Sequence, residues 1–353
     1  MEQLIKKLTG LYSGYGYTPY AMSKFEEYEL YLRNKDFLIS DRVLTFTDTD
    51  GKLMALKPDV TLSIIKNARD TDKLLQKIFY TENVYRPGKS GQGFREIMQV
   101  GLECMGAVDS YCVFEVLLLA VKSLRTISEA AVLDLSHMGL LSRLLDKFGL
   151  TGDARSEALE AIGEKNAHQL RRVCPGEAGE TLASLAVLSG KPAMVMPTLE
   201  TVFGADPEFA QFCSLLKALD AAGVDCVNVD FSVVNDMNYY NGIVFRGFVE
   251  GVPTGVLSGG EYDGLMAKMK RTGKAIGFAL YPDLLDRLNA PTKSDGVDVV
   301  LLYDEDTDLA AMAAVMDGFV KDGLRVSAQP GKDVAVPCKK VCRLNGKKVQ
   351  WLG

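Results

Sequence analysis

FYTENVYRPGKSGQGFREIMQVGLECMG, residues 79–106, reads as strand, loop, strand. Residues 77–85 and 96–106 are rich in β-branched and aromatic side chains, and a polar, glycine-rich stretch at 86–93 separates them. Arg86 at the end of the first strand, a flexible loop and a second arginine before the return strand suit a phosphate clamp. On the return strand Gln99, Gly101 and Glu103 have the same parity, so they share one face. Two polar side chains on one face of an otherwise apolar strand imply a polar pocket in a sheet. A solvent-facing edge gives the same pattern.

Outward from this core, residues 1–12 have helical apolar spacing. Residues 43–56 form two short alternating runs around Asp50-Gly51, a hairpin signal that calls for positive φ at both turn residues. LKPDVT, residues 56–61, opens a helix. Asp59 and Thr61, two residues apart at its start, can hold an ammonium group, and Asp59 can equally cap the helix. A buried helix is expected at 113–124 and a strand at 131–135. From about 140 to 223 the pattern is helical, with breaks at Gly149-Leu150, Pro175 and Gly190. Strands return at 224–234, 242–248 and 255–257, and Gly259-Gly260 leads into a helix from Asp263. The fold class is therefore α+β: an antiparallel sheet flanked by helices over residues 1–290, interrupted by a helical insertion. A polar linker opens the remainder, residues 291–353. There VDVVLLYD, a helix at 306–322 and LRVSAQ make one β-α-β unit, and Asn345-Gly346 marks a closing hairpin.

The chain has 353 residues, 47% of them apolar, and a net charge of −6. That length suits two or three domains. The acidic balance argues against a tRNA-wrapping surface, which needs a basic face. Seven scattered cysteines without a C-x-x-C pair read as reduced thiols of a cytoplasmic protein. With two histidines, His137 and His168, no metal site is expected. No cofactor is implied. MEQLIKKL lacks a signal-peptide core, and the longest apolar run, residues 113–121, contains Glu115 and is too short for a bilayer.

Two further stretches matter. VNDMNYYNGIVF, residues 234–245, places Tyr239 and Tyr240 in or beside a strand, where one can line a pocket while the other packs. Ordinary core aromatics have the same pattern. SGGEYDGL, residues 258–265, offers close backbone approach at its glycine pair, followed at once by Tyr262.

Together these stretches resemble, in order and spacing, the catalytic core of histidyl-tRNA synthetase, a class II aminoacyl-tRNA synthetase. Residues 86–106 resemble its motif 2 and residues 275–288 its motif 3. Residues 56–61, Tyr239-Tyr240 and residues 259–265 resemble its histidine-specific segments. The likeness spans about residues 1–290. Set against that pattern, the arginine ahead of the paired tyrosines is Asn235, the motif 3 arginine falls on Leu284, the glycine-glycine-arginine arginine is Glu261, and the motif 1 proline falls on Ser23. Losing one transition-state stabiliser costs roughly 10²–10³ in rate. The resemblance thus implies a branch without catalytic residues: regulatory subunits of ATP phosphoribosyltransferase. That branch is similar in its Leu-x-x-Asp-x-Thr and Tyr-Tyr-x-Gly patterns, here residues 56–61 and 239–242. It implies a histidine pocket built from Asp59, Thr61, Arg86, Gln99, Glu103, Tyr239, Tyr240 and Tyr262. It also implies a short-form catalytic chain as partner, a homodimer, L-histidine as ligand, no tRNA and no membrane. His137, within VLDLSHMG, reads as structural. Residues 296–353 look like a curtailed anticodon-binding domain. An active synthetase, a stand-alone histidine sensor and a fossil pocket are the alternatives.

Overall fold

Strands β5, Leu75–Pro87, and β6, Phe94–Gly106, pair antiparallel along their full lengths, with Gly101 opposite Tyr80 and Glu103 opposite Ile78. They lie within a nine-stranded sheet of a computed structural model that describes all residues except 39–41, 69–72, 89–92, 235–238, 288–295, 305, 332, 335, 347 and 353. The chain divides into two units, Met1–Leu285 and Asp286–Gly353.

The first unit begins with α1, Glu2–Gly14, and β1, Thr18–Pro19. A small sheet follows, made of β2, Phe25–Glu27, β3, Thr45–Thr47, and β4, Leu53–Leu56, with α2, Tyr28–Arg33, between β2 and β3. Helix α3, Val60–Asn67, leads to β5 and β6. After them come α4, Ser110–Ile127, and β7, Ala131–His137. The insertion carries α5, Met138–Lys147, α6, Gly152–Gly163, α7, Ala167–Val173, α8, Glu177–Val187, β8, Ser189–Gly190, α9, Pro192–Phe203, and α10, Pro207–Ala221. The chain returns through β9, Val227–Asp230, β10, Ile243–Val249, β11, Leu257–Glu261, α11, Asp263–Lys268, and β12, Lys274–Leu280.

The main sheet has the order β1-β5-β6-β12-β11-β10-β7-β9-β8. Its six middle strands, β5 to β7 in that order, are antiparallel, whereas β1 joins β5 and β9 joins β7 in parallel. One face is covered by α1 and α4, whose Leu8, Tyr12, Val116 and Ala120 are fully buried against Leu102 and Phe278 of the sheet. Removing such side chains from water supplies the main driving force of the fold. The breaks expected within the insertion fall between helices, and the segment after α8 adds the edge strand β8 to the sheet.

The hairpin of β3 and β4 differs from expectation in its turn. Positive φ occurs at Gly51 (81°) and not at Asp50. The loop is longer than two residues: Gly51 N–H donates to the Asp48 carbonyl at 3.2 Å, and Asp48 Oδ1 accepts from the N–H groups of Asp50 and Lys52. The Asp48 side chain thus holds the loop, and Asp50 keeps an ordinary conformation.

His137 closes β7 and caps α5, its Nδ1 accepting from Leu140 N–H at 3.4 Å. Phe212 packs edge-on against its ring, and burial pushes its pKa down to about 4, so it is neutral at pH 7. All seven cysteines are free, and five are buried. Among the described residues no helix is long and apolar enough to cross a membrane.

The second unit holds β13, Val297–Tyr303, α12, Leu309–Lys321, β14, Val326–Pro330, β15, Cys338–Asn345, and β16, Lys348–Trp351. Its sheet has the order β14-β13-β15-β16, with β13 and β14 parallel across α12 and β15 and β16 forming the expected hairpin at Gly346. The polar linker expected at 291–295 lies outside the described residues.

Candidate ligand-binding site

The face of the sheet away from α1 and α4 carries a cavity of about 180 Å³. All eight residues expected from the sequence line it: Asp59, Thr61, Arg86, Gln99, Glu103, Tyr239, Tyr240 and Tyr262. The alternation along β6 is the cause for Gln99 and Glu103, which are nearly inaccessible to solvent (3% and 2%) although polar.

Asp59 does cap α3, its Oδ1 accepting from Leu62 N–H at 2.9 Å. Its other oxygen is left toward Arg86, 3.9 Å away, so capping and lining are one arrangement. Arg86 donates from Nε to the Pro58 carbonyl at 2.9 Å, which fixes the guanidinium beside the start of α3. Glu103 receives the Thr61 hydroxyl on Oε1 at 3.1 Å and the Tyr262 hydroxyl on Oε2 at 2.6 Å. Burial pushes the Glu103 carboxyl up to about 8, and the nearby Asp59 adds to the rise against the pull of the two hydroxyls. Burial raises Asp59 too, with Arg86 opposing it. Two enclosed carboxylates therefore share a cavity in which, among the described residues, Arg86 is the one cationic side chain. Such a site favours a ligand that brings positive charge.

The tyrosine pair lies beside a strand, as expected, but does not divide between pocket and core. Tyr239 and Tyr240 precede β10, so strand alternation does not separate them, and both line the cavity. Their ring centroids are 4.5 Å apart, and Tyr239 also lies 6.1 Å from Tyr262 and 6.2 Å from Phe37. The result is an aromatic wall in the cavity that also holds the carboxylates. Asn235 lies outside the described residues. Leu284 stands in the 3-10 helix Pro282–Arg287, 38% exposed, and does not line the cavity. Glu261 does not line it either, because it points to the other face of β11 from Ser258 and Tyr262.

The sequence reading missed the other lining residues, among them Tyr80, Ser258, Gly277 and Tyr281. One signal was present. A glycine in the middle of a central strand marks close approach, and a Cβ on Gly101 would lie 2.5 Å from the Tyr80 hydroxyl. Gly277 serves Glu103 likewise, since a Cβ there would fall 1.7 Å from Glu103 Oε2.

The family model for histidyl-tRNA synthetase matches residues 1–285. The chain is 27% identical over 302 residues to an ATP phosphoribosyltransferase regulatory subunit of Oceanobacillus iheyensis, covering 82% of this chain and 74% of that one. In structure it is similar to an ATP phosphoribosyltransferase regulatory subunit/histidyl-tRNA synthetase from Bacillus halodurans (TM-score 0.72, 22% identity, 95% of this chain and 89% of that chain). It is also similar to a chain of the ATP phosphoribosyl transferase complex from Thermotoga maritima (TM-score 0.62, 18% identity, 79% and 96%). The match over residues 1–285, together with the antiparallel sheet and its polar cavity, means that this chain belongs to the histidyl-tRNA synthetase family.

Proposed function

We propose that this chain is a non-catalytic regulatory subunit of ATP phosphoribosyltransferase, which binds free L-histidine in the cavity and controls a short catalytic chain. The observation that carries the ligand is the pair of carboxylates, Asp59 and Glu103, in one cavity with an aromatic wall. Asp59 and Glu103 receive the ammonium or the imidazole, Gln99 adds a hydrogen bond, and a tyrosine covers the ring. Arg86, tied to Pro58, receives the ligand carboxylate on this reading. Similarity to the regulatory subunit of Oceanobacillus iheyensis supports the regulatory role, and similarity to a chain of the Thermotoga maritima complex supports a catalytic partner.

The chain does no aminoacylation on this reading. Leu284 leaves the motif 3 position without a guanidinium. On this reading the second unit reads no tRNA, and the protein works in the cytoplasm as a homodimer within the larger assembly. A regulator changes activity only by binding two states of its enzyme unequally. Histidine must therefore alter the coupling between chains by typically about 1–3 kcal/mol.

Mixing the two purified chains tests the proposal. The catalytic chain is expected to be weak alone, active in the complex, and inhibited by histidine only there. Separate elution at micromolar concentration, with equal activity in either case, overturns it. Calorimetry tests the pocket: Glu103→Ala removes one partner of a buried charge, a loss of roughly 2–5 kcal/mol, so affinity for histidine should fall at least tenfold. Histidine-dependent exchange of pyrophosphate into ATP by the purified chain would instead mark an active synthetase.

A further inference from the structure

Strands β10 and β11 are in register from Gly247 opposite Leu257 to Val244 opposite Gly260. Beyond that point the ladder opens. The Glu261 carbonyl accepts from Asn241 N–H at 3.1 Å, and the Glu261 carboxylate accepts from Ile243 N–H at 2.7 Å. One residue of β11 thus serves two N–H groups of the facing chain, as in a β-bulge, with a side chain standing in for the missing main-chain acceptor. Gly242 lies between those two groups, and a Cβ there would fall 2.2 Å from Glu261 Oε2, so the carboxylate rests directly on the backbone. Asn241 is fixed again by accepting from Asp263 N–H on Oδ1 at 3.0 Å.

The segment held this way carries the aromatic wall. Tyr240 lies over Gly260, where a Cβ would come within 2.6 Å of its ring, and Tyr239 packs against Tyr240 with the rings tilted. Gly260 takes the ring on the cavity face of β11, and its neighbour Glu261 holds the chain just after that ring from the opposite face.

We infer that Glu261 is a positioning residue for the tyrosine pair: its carboxylate closes the bulge at the start of β10 and so sets Tyr239 and Tyr240 over the cavity. The residue thereby has a role of its own, which an arginine cannot fill, because a guanidinium has no acceptor. Burial pushes the Glu261 carboxyl up to about 7, and the neutral acid still accepts through its carbonyl oxygen, so the clasp does not require ionisation. The inference rests on the histidine reading only for its effect on affinity.

Hydrogen exchange of residues 239–245 in the unliganded full-length protein tests the clasp directly. Glu261→Ala and the volume-filling Glu261→Met should exchange there at least tenfold faster, while Glu261→Gln, which keeps an acceptor, should match the wild type. Exchange unchanged in both non-accepting variants overturns the inference, and either variant suffices if the other fails to fold. Calorimetry with histidine then reads the consequence. Affinity should fall at least fivefold in Glu261→Ala and less than twofold in Glu261→Gln. In a Tyr239→Leu/Tyr240→Leu background the Glu261→Ala loss should vanish. An equal loss in both backgrounds means that Glu261 acts on the fold at large, and it overturns the positioning role. If the wild type binds no histidine, the histidine reading falls and the exchange result alone decides the clasp.

Discussion

The two faces of β6 experience opposite chemistry. Val100, Leu102 and Cys104 are fully buried among Leu8, Tyr12 and α4, whereas Gln99 and Glu103 line the cavity and Gly101, between them, takes the Tyr80 ring. The same division runs through β12, with Ile276 and Phe278 in the core and Gly277 under Glu103. On the first face burial itself stabilises. On the second, burial of polar groups costs free energy unless each is paired, and the hydroxyls of Thr61 and Tyr262 offset only part of that cost. One set of strands thus separates stability from recognition by a shift of one residue.

Substitutions on the two faces should therefore fail in different ways. The largest expected effect is on the core face: Leu102→Ala should lower stability by about 2–5 kcal/mol, read as a lower denaturation midpoint, and leave histidine affinity of the folded fraction unchanged. A comparable loss of affinity would mean that the faces are not separate.

Next comes pH. In the folded chain Glu103 keeps its proton up to about 8, against 4.5 when unfolded. Between those values the folded state binds more protons, so stability falls as pH rises and falls no further above about 8. Glu103→Gln removes that slope. Denaturant titrations at pH 5 and pH 9 should show the wild type losing a few kcal/mol more than the variant across the interval. Identical losses would indicate that Glu103 is already ionised in the empty cavity.

The smallest effect concerns Tyr262→Phe, which deletes one hydrogen bond to Glu103 and little volume. Its cost in stability should be about 1 kcal/mol, with a several-fold loss of histidine affinity. Greater stability in the variant would place the hydroxyl's value wholly in binding.

The sequence made most of this division legible because a period of two survives in a single strand. Gln99 and Glu103 needed only their parity, and Asp59 only the helix that Pro58 announces. What stayed hidden depends on the partner strand. Tyr80 and Gly277 become cavity residues through pairing, with Gly101 and Glu103 respectively, and no local pattern states which strands are neighbours. The tyrosine pair misled for a related reason: alternation holds inside a strand, and these residues stop short of one. Glu261 was legible as a departure from the synthetase pattern, but its face was not, because the bulge that occupies it is formed with a strand start some twenty residues away. The parallel neighbours β1 and β9 are too short to announce their direction.

The insertion leaves the main sheet immediately after β7, at His137, and comes back as β9, which lies beside β7 with Leu133 opposite Val227. Both of its ends are thus anchored to one strand, and the ladder is reinforced by the Asn228 side chain donating to Asp134. Mechanically this is a double-bolted bracket rather than an arm on a pivot. A load on the insertion is met at the β7–β9 ladder, where paired strands resist shear together, and by the core that its helices share with the sheet.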